Sequence, residues 1–404
     1  MTKLLLPVLA LGSIWPASCN PNPTPTPPPK PGHDCAAPAR HSGLVVVPDP
    51  IVGRYIVVLK DRANLIQPLM MNIEGVTEVK MLRQGYAARV AAAMVAKLLA
   101  DPSVQYVQED GVKRVAQTTP REATALWGLD RIDQRDLPLD LDYTPGGDGA
   151  SVNEAVVDTG VSAHPDFGGR LQVECFTAHG GTCADEHGHG THVAGTIGGK
   201  KHGVAKKALL WAVRVLGRGG SGSDSDVIRG IEWVTAKKLA DPSKAWVINM
   251  SLGGGASPAL DETTCNAIAA GVVVVVAAGN ESQDADRSSP ARVRQAIVVG
   301  ASDRSDHAAS FSNFGTLLDL YAPGVDIEST QPGGGTAVFS GTSMAAPHVA
   351  GAAALVLAQN AGATPAEVEA GLVARATLAA LAEPLPAGSP NALLYVRPVA
   401  GGGL

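Results

Sequence analysis

Apolar and polar positions divide this chain into two patterns. Over 54–59 and 86–90 the apolar residues read as strands, and 91–99 reads as a helix. Asp101-Pro102 breaks that helix before a third strand at 104–107. From about residue 124, β-branched runs alternate with amphipathic or alanine-rich helical stretches, the pattern of a parallel sheet with crossover helices. Strands are expected at 153–158, 171–176, 208–216, 245–250, 271–277, 296–300 and 318–321. The run Gly271-Val272-Val273-Val274-Val275-Val276 is apolar on both faces, as a central parallel strand must be. The fold class is therefore α/β: a doubly wound, mainly parallel sheet with helices on both faces over 124–397, after a small α+β unit over 50–115.

Composition adds exclusions. With 45% hydrophobic and 17% charged residues the chain is an ordered globular protein. Aromatics at 4% are too few for stacking on bases, and a net charge of -6 without a Lys/Arg run argues against nucleic acid and anionic membranes. Lys3 precedes an apolar run from Leu4 to Trp15 that is too short to span a bilayer, with small residues at Ala17 and Ser18. Residues 1–19 therefore read as an export signal. Cys19 stands where a lipoprotein carries its acylated cysteine, but Pro16 replaces the usual leucine, so soluble secretion is expected and lipid anchoring is the alternative. The Pro/Thr-rich stretch over 20–49 is expected to be a semi-rigid linker.

Five cysteines leave one over if the rest pair. Cys175 and Cys183 flank a short loop, and export permits a disulfide between them; two free thiols are the alternative. Cys265 lies in an apolar helical pattern and is expected to be a buried thiol. Cys35 has no assigned role.

The candidate chemistry lies in three segments. Gly341-Thr342-Ser343-Met344-Ala345-Ala346-Pro347-His348 places a serine at the start of an alanine-rich helix, where free N–H groups favour developing negative charge. A serine needs a base, and the base an orienting acid. Ala155-Val156-Val157-Asp158 ends an apolar run in an aspartate, and His187-Gly188-His189-Gly190-Thr191-His192 opens another helix with three candidate bases. Gly220-Ser221-Gly222 and Ser251-Leu252-Gly253-Gly254 would let an extended peptide approach and add itself as a strand. Ala277-Ala278-Gly279 and Gly253-Gly254 would wall an uncharged primary pocket suited to small or apolar side chains.

The order Asp, His, Ser resembles the subtilases. Trp127-Gly128-Leu129-Asp130-Arg131-Ile132-Asp133-Gln134, Ala277-Ala278-Gly279-Asn280 and Ala308-Ala309-Ser310-Phe311-Ser312-Asn313 are similar to landmarks of the proteinase K and aqualysin branch. The resemblance implies a secreted, broad-specificity serine endopeptidase with Asp158, His189 and Ser343 as triad. The Asn280 amide and the Ser343 N–H would be its oxyanion donors. His192 would be a packing histidine and His187 a loop residue. Residues 50–115 resemble a chaperone and inhibitor propeptide, cut from the enzyme within 110–124. Polypeptides and this propeptide are the expected partners of a monomer. Calcium is implied at two sites: Asp130, Asp133, Gln134, Asp140 and Asp142 at one, and Asp319 with the carbonyls of Arg294 and Ala296 at the other. Asp224 falls where proteinase K has an aromatic residue beside the S4 subsite. It would favour Lys or Arg at P4 through an exposed pair of about 0.2–1 kcal/mol, unless Ser223, Asp224 or Ser225 only caps the following helix. Two other classes compete. One is a catalytically dead, peptide-binding subtilase. The other is a metallohydrolase reading of His187-x-His189-x-x-His192, which leaves the Ser343 segment unexplained.

Overall fold

The computed structural model describes residues 32–35, 41–60, 75–117 and 126–397. The export segment, Cys19 and most of the Pro/Thr-rich stretch lie outside them. Nine strands form the main sheet, in the order Thr377–Leu378, Ala392–Leu393, Leu320–Pro323, Ile297–Ser302, Val273–Ala277, Trp246–Met250, Asn153–Asp158, Leu209–Arg214 and Phe176–Thr177. All neighbours run parallel except the first pair.

Alternation along each strand fills two layers. On one face Val156, Val247, Val275 and Val299 pack with Val193 and Ile197 of helix His189–Gly198 and Val349 and Ala353 of helix Thr342–Gln359. On the other, Val157, Ile248, Val274 and Val276 pack with Ile228 and Ile231 of helix Asp224–Ala240 and Leu260 of helix Pro258–Ala269. The doubly wound, mainly parallel α/β class expected from the sequence is the one observed.

The N-terminal unit is an antiparallel sheet of Pro50–Leu59, Val76–Leu82, Gly85–Val90 and Val104–Val115 carrying helix Ala92–Ala100. Strand Pro50–Leu59 is buried on both sides: Val57 and Leu59 join Tyr86, Val95 and Leu98 in the unit's own core, while Ile56 and Val58 join the main core.

Four readings need correction. The strand expected at 104–107 continues to Val115, because its charged half pairs with other strands rather than with solvent. The strand at 171–176 reduces to a bridge at Leu171 and the pair Phe176–Thr177, with Val173 fully exposed between them. The stretch read as a linker supplies strand Gly43–Val45 and an anchored segment at 32–35. Cys265 is not a free thiol: it is bonded to Cys35. The Cys175–Cys183 disulfide is present.

Candidate active site

Asp158 closes the fully buried strand Asn153–Asp158 at its carboxyl end, where open α/β sheets place their sites. Its oxygens lie 2.8 and 2.9 Å from His189 Nδ1, and the Thr159 N–H donates to Oδ1 at 2.7 Å. With Nδ1 turned to the carboxylate, Nε2 is left for proton transfer; it is buried and has no hydrogen-bond partner. His189 itself begins helix His189–Gly198.

That helix start is held by Asp185, which the sequence reading missed. Asp185 accepts from the Gly188, His187 and Thr191 N–H groups at 2.8–2.9 Å and from the Thr159 and Thr191 hydroxyls at 2.8 and 2.7 Å. Burial would raise its carboxyl, but these donors outweigh burial and hold it below its ordinary value. An acid four positions before the first helical residue was the available signal.

Ser343 is the second residue of helix Thr342–Gln359. Its Oγ donates to the Ser251 carbonyl at 2.9 Å, so the bond to His189 is not made in this structure. Asn280 Oδ1 accepts from the Thr342 N–H and hydroxyl at 2.9 and 2.8 Å, which fixes the amide and leaves Nδ2 buried without a partner.

The cleft is filled by the chain itself. Strand Val104–Val115 runs antiparallel between Ser221–Ser223 and Leu252–Gly255, pairing Lys113 with Gly222, Arg114 with Ser221 and Gly253, and Val115 with Leu252. Val115 N–H donates to Gly220 O at 3.0 Å, and Ala116 N–H to Ser251 O at 3.4 Å. The Ser343 N–H donates to the Ala116 carbonyl at 3.2 Å. Gly341 makes this approach fit: its φ is 154°, and a Cβ there would stand 2.3 Å from Ala116 O and 3.1 Å from Asn280 Nδ2. At Gly254 a Cβ would meet the Val112 carbonyl at 2.8 Å.

Gly253, Gly254, Ala277, Ala278 and Gly279 line a pocket beside Ala116, as expected, but its wall is not uncharged. Glu281 also lines it, and its Oε2 accepts from Asn313 Nδ2 at 2.8 Å. At the far end, Ser223 caps helix Asp224–Ala240 by accepting from the Asp226 N–H. Asp224 is therefore free for another partner: its Oδ1 lies 2.6 Å from Lys113 Nζ, which also donates to Gly255 O at 3.0 Å. Both side chains are buried, so this is not the exposed pair expected. Asp110, next to it, accepts from the Ser225 N–H and hydroxyl and lies 3.3 Å from Arg54 Nε. Burial raises its pKa to about 6 against those hydrogen bonds.

His192 donates from Nε2 to the Ile327 and Ala337 carbonyls, and burial lowers its pKa to about 3. His187 is a half-buried loop residue. The three histidines face different partners, His189 Nδ1 the Asp158 carboxylate and His192 Nε2 the Ile327 and Ala337 carbonyls, which is not the shared ligand set that the metallohydrolase reading requires. Of the calcium candidates, Asp130 and Gln134 both accept from the Asp140 N–H, while Asp133 and Asp142 accept from the Thr144 N–H and hydroxyl. Asp319 accepts from the Val298 N–H at 2.8 Å, and the Arg294 N–H donates to His33 O.

The chain matches the subtilase family, Peptidase S8, over residues 147–392. It is 47% identical over 383 residues to an extracellular serine proteinase of Thermus sp. (strain Rt41A), covering 86% of this chain and 90% of the relative. It is 46% identical over 316 residues to alkaline serine exoprotease A of Vibrio alginolyticus, covering 77% and 58%. A crystal structure of a cold adapted subtilisin-like serine proteinase superimposes with a TM-score of 0.64 at 46% identity, over 69% of this chain and all of that one. A buried Asp–His pair, a serine at a helix start and these relatives agree: the chain belongs to the subtilase family and is a subtilisin-like serine endopeptidase.

Proposed function

We propose that this chain is the precursor of a secreted endopeptidase whose triad is Asp158, His189 and Ser343, and whose first substrate is its own Ala116–Gln117 bond. The observation that carries the reading is the Ala116 carbonyl on the Ser343 N–H, with Asn280 Nδ2 unpartnered beside it. A rotamer change turns Ser343 Oγ from the Ser251 carbonyl toward His189 Nε2. His189 takes the hydroxyl proton as Oγ attacks the Ala116 carbonyl carbon, and Asp158 stabilises the imidazolium. The oxyanion is held by the Ser343 N–H and Asn280 Nδ2. Collapse expels the Gln117 amine, which leaves with the proton from His189. Water, deprotonated by the same ring, then frees the Ala116 carboxylate from the acyl-enzyme.

After the cut, the N-terminal unit continues to fill the cleft as an added strand and inhibits. It also engages two helix starts: Gln108 accepts from the Ala259 N–H at 3.0 Å and Asp110 from the Ser225 N–H at 3.0 Å. These contacts fit the chaperone and inhibitor role. Counting back from Ala116 as P1, Lys113 is P4, so Asp224 and the Gly255 carbonyl form a subsite that favours a cation. P1 preference is for small or apolar side chains, as Ala116 exemplifies. Secretion is supported by the apolar N-terminal run and by a relative named extracellular, with lipid anchoring through Cys19 as the alternative.

By resemblance to the subtilases calcium would be held by Asp130, Asp133, Gln134, Asp140 and Asp142, and these would have to turn from the Asp140 and Thr144 donors they now accept from to converge on a cation. Chelation is expected to lower the thermal midpoint, because a ligand of the folded state stabilises it by mass action. An unchanged midpoint in chelator removes this part of the proposal. The catalytic reading is tested by casein hydrolysis. Block by a sulfonyl fluoride supports it; full activity in that reagent overturns it.

A further inference from the structure

The N-terminal unit has a second hold on the catalytic domain, far from the cleft in sequence. Residues 32–35 lie along 292–295. His33 N–H donates to Arg292 O at 2.8 Å, and Arg294 N–H donates to His33 O at 3.0 Å, a parallel bridge at Val293. Asp34 accepts from Gln295 Nε2 at 2.8 Å and from Arg294 Nη1 at 3.1 Å, and Cys35 N–H donates to Gln295 Oε1 at 3.2 Å. A Cβ on Gly32 would stand 2.4 Å from Arg292 O. This docked strand delivers Cys35 to Cys265 of helix Pro258–Ala269, and the two are bonded across 230 residues.

Residue 116 lies between those two cysteines. We propose that hydrolysis of the Ala116–Gln117 bond does not free the inhibitory unit: the Cys35–Cys265 bond keeps it fastened as one chain of a two-chain, inhibited enzyme. Release then takes a second event. Either a bond between Cys35 and strand Gly43–Val45 is hydrolysed, or a dithiol reductant opens the disulfide. In the second case the reductant supplies two electrons and two protons, gives the Cys35 and Cys265 thiols, and leaves as its own disulfide. Formation of the bond is the reverse, with a disulfide-bearing oxidant of an exporting compartment taking up the electrons. The tether matters because a linked inhibitor rebinds at an effective concentration of order millimolar, so a micromolar inhibitor would leave the cleft only about a thousandth of the time.

This inference rests on the cleavage proposed above, and the experiment separates the two. The full chain is expressed to an oxidising compartment, quenched with iodoacetamide, and run by intact mass and gel with and without dithiothreitol. The expected result is one species without reductant, two with it, and a several-fold rise in peptide hydrolysis on reduction. Cys35→Ser is expected to separate into two pieces without reductant, to activate sooner, and to show no further activation by reductant. A cleaved wild-type chain that separates unreduced, with Cys35 and Cys265 both alkylated, overturns the tether and leaves the cleavage standing. A single polypeptide even in reductant means that cleavage failed. Disulfide mapping of that uncut chain then decides: a linked Cys35 and Cys265 peptide pair supports the anchorage, and two alkylated peptides overturn it.

Discussion

Two fully buried carboxylates flank the same cleft, and their partners differ in origin. Asp158 holds His189, which folds with it as part of one core. Asp224 holds Lys113, which arrives on strand Val104–Val115, just before the bond that the cleft would cut. Breaking a buried pair by removing one partner typically costs about 3–5 kcal/mol, because a charge is stranded. A permanent partner turns that penalty into rigidity, which is what proton transfer needs. A borrowed partner turns it into selectivity, since each incoming peptide must resupply the cation or let water in.

The largest effect that tests this contrast is at the permanent site. Ser343→Ala is expected to lose about a million-fold in kcat, the scale of removing a triad member, and to remain an uncut precursor when made without other proteases. A cut Ser343→Ala chain would show that processing is done in trans. Next comes Asn280→Ala, expected to lower kcat about 10²–10³-fold with little change in KM, as for one oxyanion donor. A loss confined to KM would place Asn280 in ground-state binding instead.

The borrowed interface should depend on pH, the permanent pair being common to bound and free enzyme. Docking raises the Asp110 pKa from 3.8 to about 6 through burial. The protonated form therefore docks better, so the Asp110 contribution to inhibition is strongest below about pH 4, weakens as pH rises to about 6, and levels off above. Two units bound the change at about a hundredfold. Activation rates of wild type and Asp110→Asn across this window check it; equal slopes would remove Asp110 as the cause. Smaller again is P4 selectivity. Peptides with Lys rather than Leu at P4 should be favoured about tenfold in kcat/KM, about 1.4 kcal/mol, and Asp224→Asn should bring the ratio near one. An unchanged ratio in Asp224→Asn would leave the Lys113 pair without a role in substrate choice.

What could be read from the sequence follows the same division. Asp158, His189, Asn280 and Ser343 sit in short segments whose glycines and helix starts are local features; the structure pairs Asp158 with His189 and sets Asn280 against Thr342, next to Ser343. Asp224 was legible as a cation site only by analogy; its burial was not, because Lys113 and Asp224 are 111 positions apart in sequence. Strand Val104–Val115 looked short for a like reason: Gln108-Glu109-Asp110-Gly111 ends the apolar pattern, yet Gln108 and Asp110 are buried by hydrogen bonds with Ser257 and Ser225 rather than by apolar contact. The Cys35–Cys265 bond spans 230 residues and leaves no spacing signal. Helix Asp224–Ala240 and the central strands were readable, since period and caps are set within each segment.

The most direct test of the central claim, that the cleft holds its own scissile bond between Ala116 and Gln117, is the N-terminal sequence and intact mass of the large fragment from the purified wild-type chain. The account predicts a start at Gln117-Thr118-Thr119-Pro120, present in wild type and absent in Ser343→Ala. A first cut at any other bond, or the same fragment from Ser343→Ala made without other proteases, would contradict it.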